Sequence, residues 1–172
     1  MKKSGSSKYR GDKLGRLRMT ELFAGLVLVF IIVFGFIIGI SRISGNSMYP
    51  TAQSGHPAVY LRLAKSFSRG DIVVVRMPSG EYLLKRVIAV AGDTVDIVDG
   101  TVYINGAAEE GTYVTGSTEA GEGSGTVTQT YPLTVGEGQV FLLGDNREVS
   151  QDSRHIGTVA VSQIRGRVIW LP

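Results

Sequence analysis

The chain has 172 residues, 43% hydrophobic and 19% charged, with 18 basic side chains against 15 acidic ones. That length holds one domain with a real core and an appendage, but hardly two domains. The absence of cysteine excludes a disulfide scaffold, a thiolate zinc site and a cysteine nucleophile, and two histidines are too few for a histidine-rich metal site.

The charge is unevenly spread. Residues 1–20 carry seven basic side chains and one acidic one, whereas residues 42–172 hold 11 basic and 13 acidic. Between them, residues 22–40 form 19 consecutive positions without a charge, mostly Leu, Ile, Val and Phe. As a helix this run spans about 28 Å, close to the roughly 30 Å hydrocarbon thickness of a bilayer. A basic tail beside such a run is predicted to stay in the cytoplasm, with everything after Arg42 outside. A nucleic-acid-binding arm is the alternative for the tail alone, and the adjoining apolar run argues against it. A cleavable leader is the alternative for the run. Its apolar stretch would be only about 7–15 residues and would lead to a small-x-small site. The Ser-Arg-Ile-Ser-Gly that follows here contains none. The expected organisation is therefore a basic cytoplasmic tail at 1–20, a retained transmembrane anchor at 21–41, and one extracytoplasmic domain at 42–172.

Beyond the anchor the texture is β. Short runs rich in β-branched and aromatic residues occupy 71–75 (DIVVV), 82–90 (YLLKRVIAV), 94–98 (TVDIV), 101–105 (TVYIN) and 139–143 (QVFLL), separated by turn signals. Residues 95–98 and 102–105, joined through Asp99-Gly100, predict a hairpin. Residues 159–161 and 163–170 are expected to close the sheet. No helical periodicity is evident after residue 41. Residues 106–126 are rich in Gly, Glu and Thr and read as a mobile loop or ribbon. The expected fold class is all-β: one transmembrane helix, then a mainly antiparallel β-sheet domain.

Three polar stretches are candidates for chemistry. In Ser44-Gly-Asn-Ser-Met-Tyr-Pro-Thr51, Ser47 is a candidate nucleophile, although a serine in a Gly/Pro-rich turn is more often a turn residue. In residues 83–93, strand alternation puts Leu83, Lys85 and Val87 on one face and Leu84, Arg86 and Ile88 on the other. A lysine between aliphatic neighbours is desolvated, which lowers its pKa and lets its neutral amine take a proton from a hydroxyl. Arginine cannot do so, because it stays protonated. An edge strand with both basic groups in water is the alternative. Residues 144–154, with Asp145/Arg147 and Asp152/Arg154 at Asp-x-Arg spacing, read either as a surface loop with weak ion pairs or as the rigid wall of a site. A Ser-His-Asp triad would have to recruit His56 or His155. Of the paired carboxylates, Asp96/Asp99 fall on a hairpin and Glu109/Glu110 on a loop, with no histidine beside them. No phosphate-binding glycine loop is present.

Together these stretches resemble bacterial type I signal peptidase, in its compact Gram-positive form. SGNSMYPT at 44–51 resembles the family's nucleophile box, RGDIVVV at 69–75 its conserved strand, KRVIAVAGDTV at 85–95 its lysine box, and GDNR at 144–147 with Ser150 and DSR at 152–154 its last box. They stand in family order. The resemblance implies a serine–lysine peptidase that removes signal peptides, with small residues preferred at the last and third-last signal positions. It implies Ser47 as nucleophile, Lys85 as general base, and Ser150 as the group orienting the lysine amine. Asp145 would pair with Arg86, and Asp152 with Arg154. The Ser47 backbone N–H would be one oxyanion donor; where some members place a second donor, a serine, this chain has Gly45.

No cofactor or metal is expected. The expected partners are signal peptides of secreted preproteins, the lipid bilayer and, transiently, the export machinery, with no nucleic acid. Ser47 lies seven residues past Ile40, so it is tethered within about 25 Å of the apolar run. That suits a substrate whose cleavage site emerges beside the membrane. Alternatives are a specialised peptidase of the same fold serving one client such as a pilin, and an idle membrane-tethered β-module. A self-cleaving repressor would carry a DNA-binding domain, which this chain lacks.

Overall fold

The structure, a computed structural model, describes residues 6–119 and 129–172, with side chains from Arg18 onward. The chain divides into two compact units, residues 1–38 and 39–172.

The first unit is a helix, α1 (Ser6–Ile32), continued by a wider π-type turn over Val33–Ile37. Residues 18–37 are long and apolar enough to cross a membrane. Leu22, Phe23, Leu26, Phe30 and Phe36 are all exposed, so from Leu22 onward the helix has no polar face that water would select. The anchor expected to end at 41 gives up its helical form at Ile37. Residues Ile38–Arg42 are strand β1 instead, because their β-branched and glycine positions fit a sheet edge.

The second unit is built on two sheets. Its elements are β2 (Pro57–Leu61), β3 (Ile72–Arg76), β4 (Tyr82–Val90), β5 (Thr94–Val98), β6 (Thr101–Ile104), β7 (Ala107–Ala108), β8 (Leu133–Thr134), β9 (Gln139–Leu143), the short helix α2 (Ser153–Ile156), β10 (Val159–Ala160) and β11 (Ile164–Trp170). The larger sheet runs β1-β2-β11-β3-β4-β9-β10 and the smaller β7-β6-β5-β8. From β2 to β10 the large-sheet ladders are antiparallel, as are those of the small sheet. Asp99 and Gly100 join β5 to β6 with φ of +48° and +78°, the two positive values that a tight primed hairpin turn requires.

Strand β4 organises the site. Its first half pairs with β3 from Tyr82 to Arg86, and its second half with β9 from Arg86 to Val90. Tyr82–Lys85 therefore have no β9 neighbour. Val73, Val75 and Val87 pack into one core cluster with Val140 and Leu142, whereas Ile72 and Leu84 pack against another with Met48 and Ala58. Lys85 is registered with Val73 and Arg86 with Ile72, so the two basic groups leave opposite faces of the strand, as alternation predicts.

Strands β1, β2, β7 and β8 and helix α2 lie where no such element was expected. Strands β1 and β2 are short and their runs are broken by Gly and Pro, so their pairing comes from the sheet. Helix α2 is one turn long, too short for periodicity to register. The segment 106–126, expected to be a mobile loop or ribbon, is tied down over its described part. Ala107–Ala108 pair with β6, and residues 109–119 bond to the 144–154 loop. Residues 120–126 lie outside the described residues.

Candidate active site

The turn after β1 carries Ser47. Met48 is 1% exposed and plugs the cluster of Ile43, Ala52 and Ala58, so the residue beside the serine is anchored by burial. The Ala52 N–H donates to Met48 O at 2.8 Å, and the Asn146 N–H donates to Ser47 O at 3.0 Å. The serine main chain is thus gripped from the core and from the 144–154 loop. Gly45 has φ of +82°, a conformation in which a serine would be strained.

From β4, Lys85 reaches this turn with its Nζ 2.7 Å from Ser47 Oγ. The lysine is 3% exposed. Burial is the main reason that its pKa falls from 10.5 to about 8; Asp152 opposes the shift, Arg154 adds to it, and Asp145 and Glu81 oppose it. Roughly a tenth of such amines is neutral at pH 7, and a neutral amine at this distance can accept the hydroxyl proton.

On the other face, Arg86 grips Asp145 with two parallel bonds, Nε to Oδ1 at 2.8 Å and Nη2 to Oδ2 at 2.6 Å. It also donates to Gly70 O at 3.0 Å, and the Tyr113 ring lies 3.9 Å from its guanidinium carbon. Asp152 is paired with Arg154 at 2.8 and 3.0 Å and accepts from the Gly144 N–H at 3.0 Å. It also caps α2 through the Arg154 N–H. Arg154 in turn donates to the carbonyls of Arg147 and Ser150. The loop is a closed hydrogen-bonded wall, and its Asp145, Asp152 and Arg154 are buried.

The predicted residues are therefore gathered in one place: Ser47 with Lys85, Arg86 with Asp145, Asp152 with Arg154. Ser150 is 4% exposed, but its hydroxyl has no hydrogen-bond partner among the described residues, so no bond to Lys85 is made in this arrangement. The geometry resolves the Asp-x-Arg spacing of 145/147 in favour of the distant partner, since Asp145 pairs with Arg86. Neither histidine is bonded to Ser47. His155 Nδ1 accepts from the Asp152 N–H at 3.4 Å, and the backbone of His56 bonds to Ile43. Three residues that sequence reasoning did not place in the wall also join it, Glu109, Tyr113 and Thr118, with Arg147 bonded to Glu109 at 2.7 Å and to Thr118 at 2.9 Å. Glu109 and Thr118 lie 38 and 29 positions from Arg147, so no local pattern links them to it.

Comparison with known proteins bears on the chain as a whole. Residues 16–171 match the family described as signal peptidase, peptidase S26. The signal peptidase IB of Staphylococcus aureus is 31% identical over 167 residues, covering 87% of this chain and 87% of that one. The signal peptidase I of Bacillus licheniformis is 33% identical over 147 residues, covering 81% of this chain and 79% of that one. A crystal structure of a signal peptidase I from Enterococcus faecalis V583 is 34% identical and has a TM-score of 0.47, covering 60% of this chain and 97% of that chain. With a family match across nearly its whole length and relatives above 30% identity, the chain belongs to the signal peptidase family, peptidase S26, and is a hydrolase.

Proposed function

We propose that this chain is a membrane-anchored endopeptidase that removes N-terminal signal peptides from exported preproteins through a Ser47–Lys85 acyl-enzyme mechanism. The observation that carries the mechanism is the buried Lys85 amine at 2.7 Å from Ser47 Oγ. Neutral Lys85 takes the hydroxyl proton as Ser47 Oγ attacks the carbonyl carbon of the scissile peptide bond. The oxyanion is met by the Ser47 backbone N–H, and the lysine returns its proton to the leaving amine. The acyl-enzyme is then hydrolysed by a water that Lys85 deprotonates. Asp145–Arg86 and Asp152–Arg154 are assigned to keep the wall rigid, and Ser150 to orient the amine during turnover, by a bond that its hydroxyl does not make in this arrangement.

A small hollow between the β1 end and the start of β4 supports a preference for small side chains. It has about 50 Å³ of free volume, and Ser47 lines it together with apolar Met48, Ala58 and Leu84 and charged Arg42 and Glu81. An extended peptide lying against the unpaired edge of Tyr82–Lys85 would send alternate side chains the same way, so small residues at the last and third-last positions fit. The basic tail and apolar helix support a cytoplasmic N-terminus with the β domain on the outer face, acting in contact with the bilayer and, transiently, the export machinery.

The test is cleavage of a secretory preprotein in detergent or liposomes by wild type, Ser47→Ala and Lys85→Ala. Cleavage after a small-x-small site, abolished in both variants, is the expected result. A folded wild type that cuts a single client supports a specialised peptidase instead. Activity retained in Lys85→Ala would overturn the lysine's role.

A further inference from the structure

We propose that Glu109 is a positioning residue for the Ser47–Lys85 pair, acting through Arg147; this rests on the serine–lysine reading above. Arg147 is 2% exposed and among the largest fully buried side chains of the protein. Its guanidinium donates to Glu109 Oε1 at 2.7 Å, to Thr118 Oγ1 at 2.9 Å and to Gly144 O at 3.0 Å. Glu109 is 6% exposed in its side chain, and the same Oε1 accepts from the Tyr113 hydroxyl at 3.2 Å. A buried guanidinium follows its carboxylate, because separation would leave two desolvated charges unpaired.

The linkage then runs to the nucleophile in two further steps. The Arg147 N–H donates to Thr115 O at 2.9 Å, and the Thr115 N–H donates to Asp145 O at 2.8 Å, so residues 145–147 are held against the 109–119 segment. Asn146, in the middle of that clamp, donates its N–H to Ser47 O at 3.0 Å. Asp145 on one side of Asn146 is fixed by Arg86, and Arg147 on the other is fixed by Glu109. Glu109 touches neither Ser47 nor Lys85. Its own backbone is tied to the small sheet, through its N–H to Val102 O at 2.7 Å. The small sheet therefore sets the height of the Ser47 carbonyl, and with it the direction of Oγ towards the amine. Proton transfer between groups 2.7 Å apart is steeply sensitive to such placement.

A purely structural brace would show itself in thermal stability and leave turnover of the folded enzyme alone. The deciding measurement is kcat and KM of the full-length enzyme in detergent on a signal-peptide substrate, well below the melting temperature, for Glu109→Ala, Glu109→Gln and Thr118→Val. Glu109→Ala is expected to lose about 10–100-fold in kcat with KM within about twofold of wild type. Glu109→Gln, whose amide oxygen still accepts from Arg147, is expected to recover most of that loss. Thr118→Val, which removes one acceptor of the same guanidinium, is expected to lower kcat by less, again without change in KM. Wild-type kcat in Glu109→Ala, a loss confined to KM, or a Glu109→Gln variant as slow as Glu109→Ala would overturn the proposal. If Glu109→Ala does not fold, Thr118→Val decides by the same two parameters. Ser47→Ala, run beside them, separates the two ideas: residual turnover there sinks the serine–lysine reading itself, whereas a dead Ser47→Ala beside a fully active Glu109→Ala sinks only the positioning role.

Discussion

Lys85 shows what burial does to a charge and what the enzyme gains by it. Its amine titrates near 8 because desolvation outweighs the attraction of Asp152, Asp145 and Glu81. Since only the neutral amine can act as a base, kcat/KM is expected to rise with pH and level off above about 8, which a pH–rate profile reads directly. The same shift predicts a stability cost. The folded protein holds this proton less tightly than the unfolded chain, where the pKa is 10.5, so Lys85 lowers stability fully below about pH 8, and the penalty fades as pH rises towards 10.5. Lys85→Met is therefore expected to be inactive yet to melt higher than wild type at pH 7, with the gap closing as pH rises. Melting curves at pH 6, 8 and 10 check it. Asp145 is the opposite case, a fully buried carboxylate gripped twice by Arg86. Asp145→Ala leaves a largely buried guanidinium unpaired and is expected to cost about 3–5 kcal/mol, with Asp145→Asn costing less; denaturant titration measures both.

Strands β1, β2 and β11 meet around one aromatic ring. Tyr60 on β2 is 6% exposed and lies across Gly39 of β1 and Gly166 of β11. A Cβ at Gly39 would stand 2.1 Å from the ring, and one at Gly166 would stand 2.3 Å from Leu61 O, so both glycines are there for close approach and the tyrosine supplies the side-chain contact they lack. Gly166→Ala is expected to force β2 and β11 apart and cost about 1–3 kcal/mol, seen as a lower denaturation midpoint. In the small sheet, Asp93 closes the turn after β4, accepting from the Val90 N–H at 2.9 Å, from Asn105 Nδ2 at 3.0 Å and from Arg69 Nε at 2.8 Å. The Arg69 guanidinium and the other donors hold its pKa down to about 2.

The two units of the chain differ in what they expose. Residues 22–37 expose apolar side chains, consistent with a membrane-anchoring helix, whereas the β domain is built around buried apolar clusters. The proposed orientation has a clean test because the chain has no cysteine. A cysteine introduced at Ser66, in the β domain, is expected to react with a membrane-impermeant maleimide on intact cells, and one at Ser6 only after lysis. The reverse pattern would overturn the orientation.

Much of this molecule was legible in its one-dimensional pattern because the physics involved is local. The apolar run, the alternation of Lys85 and Arg86, the Asp99-Gly100 hairpin and the boundaries of β4, β5 and β9 depend on residues within a few positions of one another. The candidate site was legible for a different reason: its residues stand in four short motifs in an order that a family shares. The folding of residues 109–119 against the 144–154 loop was not legible, since a Gly- and Glu-rich segment carries no periodicity and its anchors, Arg86 and Arg147, lie 27 and 38 positions from Tyr113 and Glu109. The Ser150 hydroxyl without a partner among the described residues and the strand at Ile38–Arg42, which begins inside the anchor expected to run to 41, were likewise decided in three dimensions. Local sequence sets which groups face the same way along a strand. Which distant group a buried charge finds is set only when the sheets close and water is excluded, because only then does an unpaired charge become costly enough to dictate its partner.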